Sequence, residues 1–257
     1  MMKLMSPENR GLRSIFWIFL TAIGMRIIVD ALLWVNIIEK HSYFILHVIM
    51  CLSTILVALI AIVKESDELR EYGFSLSRNT RGILCLSLFF ASAFIIVNVF
   101  LYGITANFEA FPQPLPSHDL FLEILNIIIT CVSVELLFRG YIQTKFKKAY
   151  GFPRALFLSA LMSTIYMPFL APTSGLCHQW DMSPLYLLTI FSESCFLTVL
   201  RDRSKTLLGP IVFSASRSIF YVITPLKVIA SERLGLVFAT VTYVFLSLSV
   251  QHLLKET

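Results

Sequence analysis

Eight long apolar segments dominate this chain and restrict it to folds that lie within a lipid bilayer. They are predicted at 15–38, 43–63, 83–104, 120–138, 155–170, 185–200, 206–224 and 234–253. A hydrocarbon core about 30 Å thick needs about 20 mostly apolar residues per helix, and most of the segments approach that length. Hydrophobic residues make up 57% of the chain and charged residues 14%, which excludes an ordinary soluble domain. We therefore predict an all-α fold, one polytopic membrane bundle of about eight transmembrane helices over residues 1–257.

The basic residues indicate how this bundle is oriented. With eight spans, sixteen Lys and Arg residues fall in the termini and the even-numbered connections, and three fall in the other connections. The remaining two, Arg26 and Arg217, lie inside spans. The positive-inside rule then places both termini in the cytoplasm, and we expect a prokaryotic cytoplasmic membrane. Because the net charge of +5 follows topology in this way, it does not indicate a nucleic-acid partner.

The cysteines and histidines indicate no cofactor. The five cysteines lie far apart, mostly inside spans, and no two of them have metal-ligand or redox spacing. No pair among the five histidines has metal-binding spacing either. We therefore expect neither a metal ion nor another cofactor, and we interpret the cysteines as structural thiols.

One short motif points to a family. The stretch 134–140 reads Val-Glu-Leu-Leu-Phe-Arg-Gly. It resembles the first signature of the CAAX protease and bacteriocin-processing family, which includes the type II CAAX prenyl endopeptidase and reads Glu-Glu-x-x-x-Arg. Glu135 matches the second Glu and Arg139 the Arg, whereas Val134 occupies the position of the first Glu. The resemblance covers roughly residues 120–222, and it implies the helical fold of a membrane-embedded glutamic protease.

The resemblance also implies which positions should carry the chemistry. In the family, the first Glu activates water, a His on the next helix supports it, and a later His and Asn bind the developing oxyanion. The second signature aligns Met167 with the supporting His. The third signature, after a basic turn and Pro210, aligns Ser214 with the later His and Ser218 with the Asn. The base, both histidines and the asparagine are therefore all replaced.

Several ionisable residues are predicted at membrane depth, where charge is costly and usually paired. Glu135 and Arg139 are four residues apart on one helix face and should form an ion pair, as should Arg26 and Asp30. Helix rise places Glu193 and Arg217 at similar depths on neighbouring helices, so these two residues should also pair. Arg217 next to Ser214 and Ser218 indicates either an anion-binding pocket or a plugged one.

These features predict a pseudoprotease that serves as a membrane scaffold or as a partner-binding or regulatory subunit. The expected partners are membrane lipids and a membrane protein or lipid-anchored protein. The first alternative is a divergent, active intramembrane endopeptidase, of CAAX or bacteriocin-processing type, that uses Glu135 as its base. The second alternative is a small transporter, which would explain the buried charges but not the Phe-Arg-Gly element.

Overall fold

A computed structural model describes residues 7–34, 40–64, 69–74, 80–105, 117–167, 184–223 and 233–253, and these contain helices and no strand. The helices are α1 Pro7–Trp34, α2 Lys40–Lys64, α3 Thr80–Thr105, α4 Ser117–Glu135, α5 Gln143–Tyr150, α6 Phe152–Tyr166, α7 Pro184–Ser204, α8 Leu208–Ile223 and α9 Arg233–Leu253. A π-helical segment, Leu136–Ile142, joins α4 to α5 without a break, so that each predicted span corresponds to one continuous helix. The predicted all-α fold is confirmed.

Four stretches of the described residues are long and apolar enough to cross a membrane. They are Ile45–Lys64, Thr80–Val97, Leu120–Tyr150 and Pro184–Ser204, and Val237–Leu253 forms a shorter apolar helix. Large exposed side chains on α2, α3 and α9 are apolar, with Leu56, Phe89 and Phe245 as examples. Because such faces suit lipid rather than water, the chain is a multi-pass integral membrane protein.

The fourth helix extends beyond its predicted end. The apolar pattern ends at 138, but the helix continues through the π-helical segment and through the polar α5 to Tyr150. Apolar character marks only the part of a helix that lies in hydrocarbon, whereas backbone hydrogen bonds continue into the polar region. Gly151, at a φ of +78°, then reverses the chain into α6.

A short strap, residues 69–74, covers the end of the bundle where the π-helical segment lies. It contains a 3-10 turn, Leu69–Tyr72, and Tyr72 is fully buried with its ring stacked on Tyr141 at 6.2 Å. The backbone N–H of Leu207 donates to the carbonyl of Gly73 at 3.1 Å, and Arg201 donates to the carbonyl of Glu71. The strap therefore ties the α7–α8 turn to the π-helical segment.

The motif helices α4 and α8 lie between two apolar clusters. The first cluster joins α1, α2, α4 and the π-helical segment, and the second joins α3, α7, α8 and α9. Leu207 lies against Gly140, and Ser214, seven residues later, contacts Glu135, five residues before Gly140. The two motif helices are therefore antiparallel. Residues of the first and third signatures thus meet inside the bundle.

Candidate functional site

Glu135 and Arg139 form the predicted ion pair. Arg139 Nε lies 3.4 Å from Glu135 Oε2, and each side chain is 1% exposed. The guanidinium is buried because the helix continues beyond it and because Leu207 and the Tyr72 carbonyl pack closely against Gly140.

A residue from the third signature holds the carboxylate of Glu135 in place. Ser214 Oγ donates a hydrogen bond to Glu135 Oε1 at 3.2 Å, so this serine orients the carboxylate towards α8. Serine stands where the family has a histidine. A hydroxyl can orient a carboxylate by donating to it, but it cannot accept a proton at neutral pH as an imidazole can.

The positions that match the family's base and its supporting histidine are both apolar here and lie in the same cluster. Val134 is 3% exposed and belongs to the first apolar cluster, and Met167, just after α6, packs against that cluster. Glu135 faces α8, and because successive residues on a helix point about 100° apart, the Val134 side chain points in a different direction. The catalytic position of the family is therefore filled by side chains that neither bind water nor accept a proton.

A second ion pair lies on the α8 side of the site. Arg217 Nη1 lies 2.5 Å from Glu193 Oε2, which confirms the predicted pair. Arg217 Nη1 also donates to the hydroxyl of Tyr243 on α9, a contact that the sequence analysis did not foresee. Tyr243 lies in an apolar helix, and only its hydroxyl group indicated that it could bind a polar partner.

A third polar cluster lies on the other side of α4. Arg26 Nη1 is 2.5 Å from His47 Nδ1, and His47 Nε2 is 3.0 Å from Thr130 Oγ1. A guanidinium only donates hydrogen bonds, so Nδ1 accepts, and His47 is neutral with its proton on Nε2. The side chain of Asp30, the predicted partner of Arg26, lies outside the described residues.

The position of His47 was missed by sequence reasoning. The sequence assigned it only to the second span, yet it contacts α4 one helical turn before Val134. The sequence did contain one indication: His47 is a polar residue in a mostly apolar helix, four positions before Cys51, so the two side chains share a helix face. Because Arg26 occupies its acceptor nitrogen, His47 does not replace the missing base.

Three buried polar atoms around Glu135 have no hydrogen-bond partner. They are Glu135 Oε2, Arg139 Nη1 and Arg139 Nη2. Glu135 Oε2 lies within ion-pair distance of Arg139 Nε but makes no hydrogen bond. Buried polar groups of this kind usually bind water or a ligand. Within the described ranges, no group of three His, Cys, Asp or Glu side chains is arranged to hold a metal ion.

Comparison with known proteins identifies the segment that carries this site. Residues 116–220 match the model of the family described as type II CAAX prenyl endopeptidase Rce1-like. A search of curated proteins found no match. The matched stretch contains Glu135, Arg139, Glu193, Ser214 and Arg217. Segment 116–220 of this integral membrane protein is thus similar to the type II CAAX prenyl endopeptidase Rce1-like family, the resemblance that its motifs predicted.

Proposed function

We propose that this protein is a proteolytically inactive relative of the type II CAAX prenyl endopeptidases that binds a membrane partner without cutting it. One observation carries the proposal: Val134, which matches the family's base, is buried in an apolar cluster, and Met167, which matches the supporting histidine, packs against the same cluster. Peptide hydrolysis needs a proton acceptor next to the attacking water and donors for the oxyanion. The proton acceptor is missing at the position where the family has it.

The remaining polar residues support a scaffold rather than a reaction. Glu135 is engaged by Arg139 and Ser214, and Glu193 is engaged by Arg217. These two ion pairs and the Ser214 hydrogen bond connect α4, α7 and α8. The partner would be a membrane protein or a lipid-anchored protein that reaches the bundle through the bilayer.

A direct cleavage assay tests the proposal. The purified full-length protein, in lipid nanodiscs, is incubated with a prenylated CAAX peptide, and the products are analysed by mass spectrometry. We expect no cleavage by the native protein or by its Glu135→Gln variant. Cleavage by the native protein that disappears in Glu135→Gln would overturn the proposal.

A divergent endopeptidase is the second candidate function, and one observation favours it. Glu135 Oε2 and the two Nη atoms of Arg139 are buried without hydrogen-bond partners, so a water molecule bound there would lie next to a carboxylate. The cleavage assay decides between the two functions, because this alternative requires Glu135 to be essential for turnover.

We also infer that both termini lie in the cytoplasm. The support is the distribution of basic residues, sixteen on one side of the predicted bundle and three on the other. In this orientation the strap and the α7–α8 turn face the cytoplasm, and a partner docking on them would come from that side.

A further inference from the structure

Two ammonium groups share one carboxylate oxygen at the point where α5 and α7 end. Lys147 on α5 forms an ion pair with Oδ1 of Asp202, and Lys205, just after α7, lies 3.8 Å from the same oxygen. The side chain of Asp202 is 11% exposed, whereas those of Lys147 and Lys205 are 37% and 66% exposed. The carboxylate therefore lies beneath two cations that reach the surface.

The last turn of α7 adds two more positive charges. Arg201 and Arg203, together with Lys147, Asp202 and Lys205, form what we call the basic cluster. Burial, and then the positive charges of Lys147, Arg201 and Arg203, lower the pKa of Lys205, while Asp202 opposes this shift. Among the described residues, the cluster thus contains four cations and one carboxylate, and a further anion would reduce the repulsion between its cations.

Two guanidinium nitrogens of the basic cluster are buried donors that nothing uses. Nε of Arg201 and Nε of Arg203 have no hydrogen-bond partner in the part of the chain that the structure describes. Arg201 is 5% exposed, and it donates to two uncharged acceptors, the carbonyl of Glu71 and the hydroxyl of Thr144. Buried donors without a partner usually bind water or a ligand, and guanidinium groups suit phosphate oxygens.

An exposed apolar stripe leads away from the basic cluster along α6. The Nζ atom of Lys147 lies 5.6 Å from the ring centre of Phe152, the first residue of α6. Phe157, Leu161 and Ile165 follow at four-residue spacing and therefore share one helix face, and they are 54%, 40% and 49% exposed. Positive charge followed by apolar surface matches the headgroup and acyl chains of an anionic phospholipid.

We propose that the basic cluster binds the phosphate of an anionic phospholipid whose acyl chains lie along the stripe of Phe157, Leu161 and Ile165. The two membrane-crossing stretches that contribute to the cluster end at Tyr150 and Ser204, so the cluster lies at the depth of phospholipid headgroups. Basic pockets between membrane helices bind such headgroups. A soluble phosphate compound can use the charges, but only a lipid also uses the stripe. This binding site is independent of proteolysis and of the signature residues.

Native mass spectrometry of the full-length protein in detergent measures the binding, because it counts bound lipid molecules directly. The probe is dioleoylphosphatidylglycerol, and zwitterionic dioleoylphosphatidylcholine is its control. Arg203→Gln with Lys205→Gln removes two charges of the cluster, whereas Lys64→Gln with Arg81→Gln removes two exposed charges elsewhere on the same predicted side of the membrane.

We expect the native protein to bind phosphatidylglycerol more tightly than phosphatidylcholine. The cluster variant should weaken phosphatidylglycerol binding about thirtyfold, the contribution of two basic residues near an anionic surface, and the control variant should keep the native Kd. Equal binding of the two lipids, or equal weakening in the two variants, would overturn the proposal.

A variant with the opposite expected effect separates binding from folding. Asp202→Asn removes the carboxylate that competes with a phosphate for the ammonium groups of Lys147 and Lys205. We expect this variant to bind phosphatidylglycerol more tightly than the native protein, a result that loss of folding does not produce. Unchanged or weaker binding would contradict a phosphate site at the cluster.

Two further measurements identify the lipid as the source of the phosphate. Glycerol 3-phosphate, which lacks acyl chains, should not displace phosphatidylglycerol at equal concentration, and displacement would assign the cluster to a soluble compound instead. Leu161→Ser with Ile165→Ser should weaken lipid binding, whereas Val241→Ser with Phe245→Ser, an equally spaced exposed pair on α9, should not. Equal effects of the two pairs would refute the position of the acyl chains.

Discussion

The ion pair between Glu193 and Arg217 allows a quantitative test of the site. The perturbation is a double-mutant cycle of Glu193→Gln, Arg217→Gln and the two together. Each single change leaves one charge at membrane depth without its 2.5 Å partner, whereas the double change removes both charges. The cycle therefore separates the pairing energy from the cost of each substitution.

The structure gives the expected magnitudes. Breaking a buried ion pair by removing one partner costs about 3–5 kcal/mol, whereas replacing both partners is often close to neutral. Because Arg217 is 19% exposed and Glu193 11% exposed, water partly solvates the remaining charge. We therefore expect about 3 kcal/mol for each single change, and the double variant should recover most of that loss.

Thermal unfolding of the purified variants in one detergent provides the measurement, together with the expression level in membranes. The control pairs Glu193→Gln with Arg203→Gln, ten residues further along α7 and about 15 Å away, where losses should add. Additive losses for Glu193 and Arg217 as well would show that these two residues are not coupled. In that case Arg217 would be available to an anionic ligand.

Three further predictions concern other parts of the molecule. Glu135→Gln should lower stability by about 3–5 kcal/mol, because it removes the charged partner of a guanidinium that is only 1% exposed, and unfolding measurements check it. Gly73→Ala should lower the melting temperature more than Gly151→Ala does. Both glycines have positive φ, so both substitutions cause backbone strain. An added Cβ at Gly73 also lies 2.9 Å from the Leu207 side chain, whereas an added Cβ at Gly151 meets nothing within 4 Å. Equal melting temperatures for the two glycine variants would refute this. A reporter fused after Lys148 should show a cytoplasmic location, and an external location would contradict the eight-span topology.

Much of the fold was predictable because membrane helices leave a strong signal in the sequence. Apolar length alone predicted eight helices, since backbone groups in lipid must be bonded within a segment. The ends were less predictable: α4 runs on through the π-helical segment into α5 because helical hydrogen bonding does not require apolar side chains.

The candidate site was predictable where partners are close in sequence or at matched depth. Glu135 with Arg139 follows from helical spacing, and Glu193 with Arg217 follows from helix rise from a shared turn. The contacts of His47 with Thr130 and of Tyr243 with Arg217 depend on which helices are neighbours. Periodicity within one helix does not contain that information, so these residues were missed.

The replaced residues of the site depend on one another, so reverting one of them to the family residue should not restore proteolysis. A carboxylate returned at Val134 alone would enter an apolar cluster without a donor, because Met167 lies against the same cluster. It would take up a proton or disrupt packing rather than activate water. A histidine returned at Ser214 alone would remove the hydroxyl that donates to Glu135. Each single reversion is therefore expected to lower stability without producing cleavage, and only restoring the base together with its imidazole and oxyanion partners would rebuild a hydrolytic site.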